Sequence, residues 1–450
     1  MQITSHFTFL KNICLSAGLL FFIGACSPNP SVSSIQKINL ANAPVILPEQ
    51  QSDFSDTTTT RVALLLPLTG NSANIGETLR NASTMAQFDA PNTQTELSFF
   101  DTQGTPEGAI EAYHKALEGY PHLIIGPVFS AEVKAVSKEN PRIPVLSFSS
   151  DTDVLRSGIY SLALLIPQQV ERIVDFACQS GKTSLAVIGP ENKVGRIAMN
   201  ALDEALKKCP TLHLKKTALY PVGTFNFEPV LRKILPPETK KATEKLTPQE
   251  RQELQQELAR KLPFDGLFVF AEGSGLTQIL NLLSYYDITT KITDIYALTS
   301  AQSGTENVYK GVYFPALNET YYRRFARSYQ QQFGKTPARL GTMGYDAVSL
   351  ASFLGQTGGI KERFLTNETG FSGIDGLFRL NSNGTNERAL SIMRFDRPHS
   401  FTLVSPAPSE FEPRSFWTSK DYLNKEKASE EMISSEEINE SDLESQVSDE

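Results

Sequence analysis

The sequence predicts an α/β fold made of two doubly wound, parallel-sheet halves. Three observations carry that reading. The short apolar runs are continuous rather than alternating, most are followed by a helix-length segment, and the series starts twice, at Arg61 and again after Tyr160. A strand that is apolar on both faces is one covered by helices on both sides, the arrangement of parallel sheets with helical crossovers.

The first series opens with the strand 62–66, closed by Pro67, and a helix over 73–88. A strand at 97–100 and a helix over 107–118, opened by Pro106, come next. Strands at 123–125 and 145–148 flank a helix at 130–139. In such sheets ligands gather beyond the carboxyl ends of the strands, which points to loops 68–75, 126–130 and 147–153. The second series reads as helix 168–180, strand 185–188, helix 193–208, strand 212–220 and helix 227–235.

A charged insert, 238–262, interrupts it. Within the insert, Thr247-Pro248-Gln249-Glu250 is a capping box with proline at the first helical position. Leu254, Leu258 and Leu262 give this helix one apolar stripe, suited either to packing on the body's flank or to docking a partner. Strand 267–270, helix 275–285, strands 295–298 and 312–314, and helices 319–333 and 342–354 follow. Two β segments, 376–380 and 389–396, separated by the turn 381–384, close the body.

The termini differ from this body. Lys11 precedes an uncharged, mostly apolar run over 13–23, too short for the roughly 20 residues of a membrane-spanning helix. Ile23-Gly24-Ala25-Cys26 resembles the lipobox of bacterial lipoproteins. It implies a signal peptide over 1–25 and lipid on Cys26; the alternative is an ordinary signal peptide cut at a nearby small residue. Ser27, standing where an Asp would favour retention in the inner membrane, implies the periplasmic face of the outer membrane. Several acyl chains anchor stably where one would not. Residues 26–60 are rich in Ser, Pro, Asn and Thr and read as a tether. Its r.m.s. reach is about 30–35 Å if flexible.

At the other end, residues 420–450 hold eleven acids against three lysines and so account for the whole formal charge of −8. Residues 410–450 read as a solvated acidic tail, serving solubility or docking. No basic patch suggests nucleic acid. With Cys14 lost in the signal and Cys26 lipidated, Cys178 and Cys209 remain, each at the end of a helix flanking strand 185–188. They suit a disulfide across one edge of the second half, or two separately buried thiols. There is no CxxC, and His6, His114, His122, His213 and His399 are scattered, so no metal and no cofactor is expected. Ser147, Ser149 and Ser150 have no histidine in local sequence and no phosphate loop is present, which argues against an enzyme.

RVALLLPLTGNSANIGETLRNA (61–82), LIIGPVFSAEVKAV (123–136), IPVLSFSSDTDV (143–154), SLAVIGPENKVGRIAMNAL (184–202) and MGYDAVSLAS (343–352) resemble the leucine/isoleucine/valine-binding class in order and spacing. The resemblance implies the type I periplasmic-binding fold, two lobes joined by three crossovers with a cleft between them. The first lobe would be 61–160 completed by about 300–360, and the second 161–299 completed by about 365–405. PFDGLFVFAEGSGLTQILNLLSYYDI (263–288), GFSGIDGLFRLNSNGTNERALSIMRFD (370–396) and LVSPAP (403–408) further resemble the LpoA-type penicillin-binding-protein activators, in the shorter form lacking the helical-repeat domain. That implies an outer-membrane lipoprotein whose partner is a peptidoglycan synthase, a class A penicillin-binding protein.

The amino-acid-binding pattern is only half present. The first-lobe loops offer Ser130, Ser149, Ser150 and Asp151 near helix starts, where free N–H groups could hold a carboxylate. The aromatic expected in the second lobe is replaced near Val194, and the acid that would pair with a ligand amine falls at Ser300. Glu272 could substitute for that acid, or be a charge placed at a helix start by the macrodipole. A small-molecule ligand in the cleft stays open. The alternative function is that of a lipid-anchored substrate-binding protein of an ABC importer.

Overall fold

The computed structural model describes residues 59–90, 94–239 and 247–411. The signal peptide, Cys26, the tether up to residue 58 and the acidic tail beyond residue 411 lie outside the described residues.

The first lobe begins with β1 (Thr60–Leu66), α1 (Ala73–Asp89), β2 (Thr95–Asp101), α2 (Pro106–Leu117), β3 (Leu123–Ile125), α3 (Ser130–Lys138), β4 (Val145–Ser147) and β5 (Ile159–Ser161). Its five strands are parallel throughout, in the order β2-β1-β3-β4-β5. β1 shows why its apolar run is unbroken. Val62, Leu64 and Leu66 pack with Leu79 and Met85 of α1, while Ala63 and Leu65 pack with Ala112 of α2 and Val136 of α3. Leu64, Leu65 and Leu66 are fully buried, and each such side chain contributes roughly 1.5–3 kcal/mol.

Residues 162–165 cross to the second lobe. Its elements are α4 (Ile166–Gln179), β6 (Ser184–Pro190), α5 (Lys193–Lys207), β7 (His213–Tyr220), α6 (Glu228–Arg232), α7 (Pro248–Lys261), β8 (Gly266–Val269), α8 (Gly273–Tyr285), β9 (Asp294–Ala297) and β10 (Tyr313–Ala316). The same two-sided logic holds: Ala186 and Ile188 of β6 enter one core, and Leu185 and Val187 the other. The chain returns at 317–318 to add α9 (Glu319–Phe333), α10 (Gly341–Thr357), α11 (Glu362–Leu365) and a small antiparallel sheet to the first lobe. That sheet comprises β11 (Phe371–Gly373), β12 (Gly376–Leu380) and β13 (Asn386–Arg388). A third crossing at 389–390 leads to β14 (Ser391–Arg397) and β15 (Ser400–Ser405), which extend the second sheet to the order β15-β14-β10-β9-β8-β6-β7.

The division between lobes departs from the expected one. β10 pairs with β9, and Phe314 packs in the second lobe's core, so that lobe runs on to residue 316 rather than ending at 299. The first lobe is completed by 319–388, because Phe325, Tyr345, Phe371 and Phe378 join the core of Val62. The β segments expected at 376–380 and 389–396 are present but belong to different sheets. The turn at 381–384 joins β12 to β13, and Met393 instead faces Phe314 across the β10–β14 pair. β1 also starts at Thr60, inside the expected tether.

In α7 the capping box is reciprocal: Thr247 N donates to Glu250 Oε2 at 2.8 Å, and Glu250 N to Thr247 Oγ1 at 3.3 Å. Its stripe is laid on the body, with Leu258 and Leu262 buried. Cys178 and Cys209 are bonded, with Cα atoms 6.3 Å apart.

The crossovers are tied by buried polar groups. Asn386 Nδ2 donates to the carbonyls of Ser161 (2.8 Å) and Ala163 (2.9 Å), and Gln168 Nε2 donates to the Asn386 carbonyl at 2.6 Å. Arg388 donates through Nη2 to the Leu162 carbonyl. Around it, buried Asp346 accepts from Ile374 N (2.8 Å), and buried Asp375 accepts from Thr342 Oγ1 (2.7 Å) and pairs with Arg339 Nη1 (2.7 Å). Asn318 N, in the second crossover, donates to the Asp375 carbonyl at 3.3 Å. Burial, then the Asp375 charge, pushes the Asp346 carboxyl up to about 7. Burial likewise lowers the Arg388 guanidinium.

Candidate functional site: the mouth of the interlobe cleft

The cleft lies where the carboxyl ends of both sheets face each other. On the first-lobe side, the loop after β3 turns at Gly126, whose φ of +93° suits glycine and whose position against the Leu65 carbonyl leaves no room for a Cβ. This sets up the start of α3. The amides there are not free: Val128 N and Phe129 N donate to Glu132 Oε2 at 3.2 and 2.8 Å. Glu132 is fully buried, and burial raises its carboxyl.

Ser130 Oγ donates to Asp151 Oδ2 at 2.6 Å. Asp151 follows β4, and its own N donates to Ser149 Oγ at 3.1 Å. The other oxygen, Oδ1, accepts from Asp153 N at 3.0 Å and from the Lys193 ammonium. Lys193 belongs to the opposite lobe, as the first residue of α5, and also pairs with Asp153 Oδ2 at 2.7 Å. Its placement follows from the turn after β6. Asn192 caps α5 by accepting from Gly195 N at 3.0 Å, and Gly195 lies so close to the Pro190 carbonyl that a Cβ would overlap it. Burial raises the Asp151 carboxyl, but the bonds from Lys193, Ser130 and Asp153 N outweigh it and hold it below the usual carboxylate range. The bonds to Asp151 and Asp153 raise Lys193 in turn.

The structure therefore brings Ser130, Ser149 and Asp151 together and leaves the other three candidates outside that network. Ser150 is exposed beside it. Glu272 is exposed at the start of α8, and its charge is felt by Tyr220, whose hydroxyl is raised by burial and then by Glu272. Ser300 sits on the turn after β9, where its carbonyl accepts from Ser303 Oγ at 2.7 Å and its Oγ is buried without a partner among the described residues. Lys193, Asp153 and Glu132 were missed. The signal for Lys193 in the sequence is its place directly before Val194, at the position where the binding class carries an aromatic.

This arrangement is an ionic network that joins the two lobes. The Asp151 carboxylate, bonded to Ser130, meets the Lys193 ammonium from the facing lobe at the mouth. Among the described residues no cluster of three or more His, Cys, Asp or Glu could hold a metal ion. No described helix is long and apolar enough to cross a membrane. A larger concavity of about 700 Å³ lies away from the mouth, between the start of α9, β11–β12, β14–β15 and the segment 406–411.

This fold, with two parallel lobes, three crossings and a cleft at the strand ends, is that of a type I periplasmic binding protein. The profile of the periplasmic binding protein family matches residues 59–357, and the chain belongs to that family. Among solved structures it is similar to a branched-chain amino acid ABC transporter protein from Rhodospirillum rubrum, with a TM-score of 0.63 and 15% identity over 77% of this chain and 100% of that one. A branched-chain amino acid ligand-binding protein from Burkholderia xenovorans gives a TM-score of 0.58 and 14% identity, over 79% and 96%. Among curated proteins the chain resembles two penicillin-binding protein activators named LpoA. The one from Photobacterium profundum is 29% identical over 148 residues, and that from Pasteurella multocida 27% over 157. The matches take in 32% and 34% of this chain but only 24% and 26% of those proteins, about a quarter of their length.

Proposed function

We propose that this protein is a non-enzymatic, periplasm-facing lipoprotein, anchored through Cys26 in the outer membrane, that docks on and stimulates a class A penicillin-binding protein. The observation that carries the reading is the state of the cleft mouth. The groups that a free amino acid would need are bonded to the chain's own charges: Glu132 holds the Val128 and Phe129 amides, Asp151 holds Ser130, and Lys193 holds Asp151. A zwitterionic ligand would have to displace these bonds and be desolvated itself, which costs several kcal/mol unless each charge is repaid by an equal partner. Similarity to activators rather than receptors among the curated proteins supports the same reading.

The test is reconstitution. The full chain added to a detergent-solubilised class A penicillin-binding protein should co-purify with it and raise its glycan polymerisation or cross-linking rate. Failure of both would remove the proposal. The receptor reading makes the opposite forecast for calorimetry with leucine, isoleucine and valine. We expect no saturation tighter than about millimolar, some 4 kcal/mol of binding; a micromolar constant would restore the receptor reading. Cys26→Ala should release the chain from the outer-membrane fraction. Unchanged fractionation would reject the anchor.

A further inference from the structure

We propose that a groove on the outer rim of the cleft mouth binds a small multivalent anion, of the polyphosphate or polycarboxylate class. The groove has a volume of about 430 Å³ and is lined by Lys134, Lys138, Arg156, Lys193, Asp151 and Asp153. Its charges come from three separate places, α3, the segment after β4, and the start of α5 in the other lobe. Lys134 and Lys138 are four residues apart on α3, which sets them on one face of the helix. Both are exposed, and neither has an ion-pair partner among the described residues. Arg156 is anchored rather than loose, because Nη2 donates to Asn140 Oδ1 at 3.2 Å and to the Ser137 carbonyl. Its Nε and Nη1 make no hydrogen bond among the described residues, and a guanidinium edge held in one plane suits a carboxylate or phosphate.

The two acids of the groove do not cancel this field. Both are paired with Lys193, and the four cations of the groove against its two acids leave a formal surplus of two positive charges, carried on the side of Lys134, Lys138 and Arg156. A single exposed ion pair contributes little because solvent screens it, so useful affinity needs an anion that meets several cations at once. Lys193 supplies the coupling. An anion that reaches it competes with Asp151 and Asp153, so occupancy loosens the two ion pairs that Lys193 makes across the mouth, and loosening them favours occupancy. This inference stands apart from the synthase reading.

The experiment uses the unlipidated full chain, Cys26→Ala, so that the anchor plays no part. It is titrated calorimetrically at low salt with pyrophosphate, citrate and inorganic phosphate, and floated with vesicles of anionic or neutral phospholipid. Pyrophosphate or citrate should saturate and bind more tightly than inorganic phosphate. Lys134→Ala with Lys138→Ala should weaken that binding about tenfold or more, with thermal melting unchanged. Lys207→Ala with Lys208→Ala, on the far end of α5, should leave it intact. Absence of saturation, or equal binding by the first double variant, overturns the proposal. Flotation on anionic vesicles without soluble-anion binding overturns it too, in favour of a lipid surface.

Discussion

The cleft mouth and the crossovers both hold carboxylates against cations, but under opposite conditions. At the mouth, Asp151, Asp153 and Lys193 are partly or largely exposed, and all three are paired. At the crossovers, Asp346, Asp375 and Arg388 are buried, and Asp346 Oδ2 and two guanidinium nitrogens of Arg388 lack hydrogen bonds among the described residues. An exposed pair contributes little to stability but fixes a geometry. A buried, under-satisfied set is costly to assemble and costlier to break. The mouth is thus where lobes can part at small cost, and the crossovers are where they cannot.

The sharpest way to break that contrast is Arg388→Met. It keeps volume beside Phe378, over whose ring Arg388 sits at 5.2 Å, but strands two buried carboxylates with Arg339 as their remaining cation. Removing one partner from a buried ionic group typically costs about 3–5 kcal/mol. Urea unfolding at pH 7.5 should show a loss of that size, and a smaller one at pH 5, where Asp346 is protonated. A loss under about 1 kcal/mol would mean that the set is not coupled.

A subtler change, Asp346→Asn, should act in the other direction. The Asp346 carboxyl titrates near 3.8 when unfolded and is raised to about 7 in the fold. Between those values the folded chain keeps a proton that the unfolded chain has lost, so stability falls as pH rises through the window. Asparagine keeps an acceptor for Ile374 N and carries no charge. The variant should match wild type at about pH 3.5, below the unfolded carboxyl's value, be more stable by roughly 1–3 kcal/mol at pH 8, and lose the slope between them. An unchanged slope would place the titration elsewhere.

The same contrast explains what was legible in the sequence. Apolar runs such as 62–66 and 185–188 declare two-sided burial, and helix ends were marked by Pro106 and by the Thr247–Glu250 box. Lobe membership was harder. β10 and β12 are both short and mostly apolar, and only pairing partners far along the chain assign Phe314 to one core and Phe378 to the other. The site was half readable for a related reason. Ser130, Ser149 and Asp151 lie within one 22-residue stretch with a recognisable spacing, whereas their cation arrives from the other lobe. A lone Lys193 among polar residues carries no local sign that it faces a carboxylate 42 residues earlier.

Lys193→Ala should give the smallest effect and the most informative one. Its pair is more than a third exposed on the lysine side, at 41%, so solvent screens it. Exposed pairs of this kind contribute about 0.2–1 kcal/mol, and denaturation at pH 7 should move by no more. The pH dependence separates mouth from crossovers. Asp151 is held below its usual value, so its contribution is present above the unfolded carboxyl's range and disappears as pH falls through the folded value. Lys193 is raised, so its contribution is present below the usual lysine range and disappears as pH rises through the folded value. Neither limit falls between pH 5 and pH 9, and the difference between Lys193→Ala and wild type should therefore be flat across that interval. Small-angle scattering should meanwhile register a larger mean radius, because the described tie across the mouth is gone while the crossovers are untouched. A loss above about 2 kcal/mol, or a difference that changes between pH 5 and pH 8, would show that the mouth carries buried charge after all.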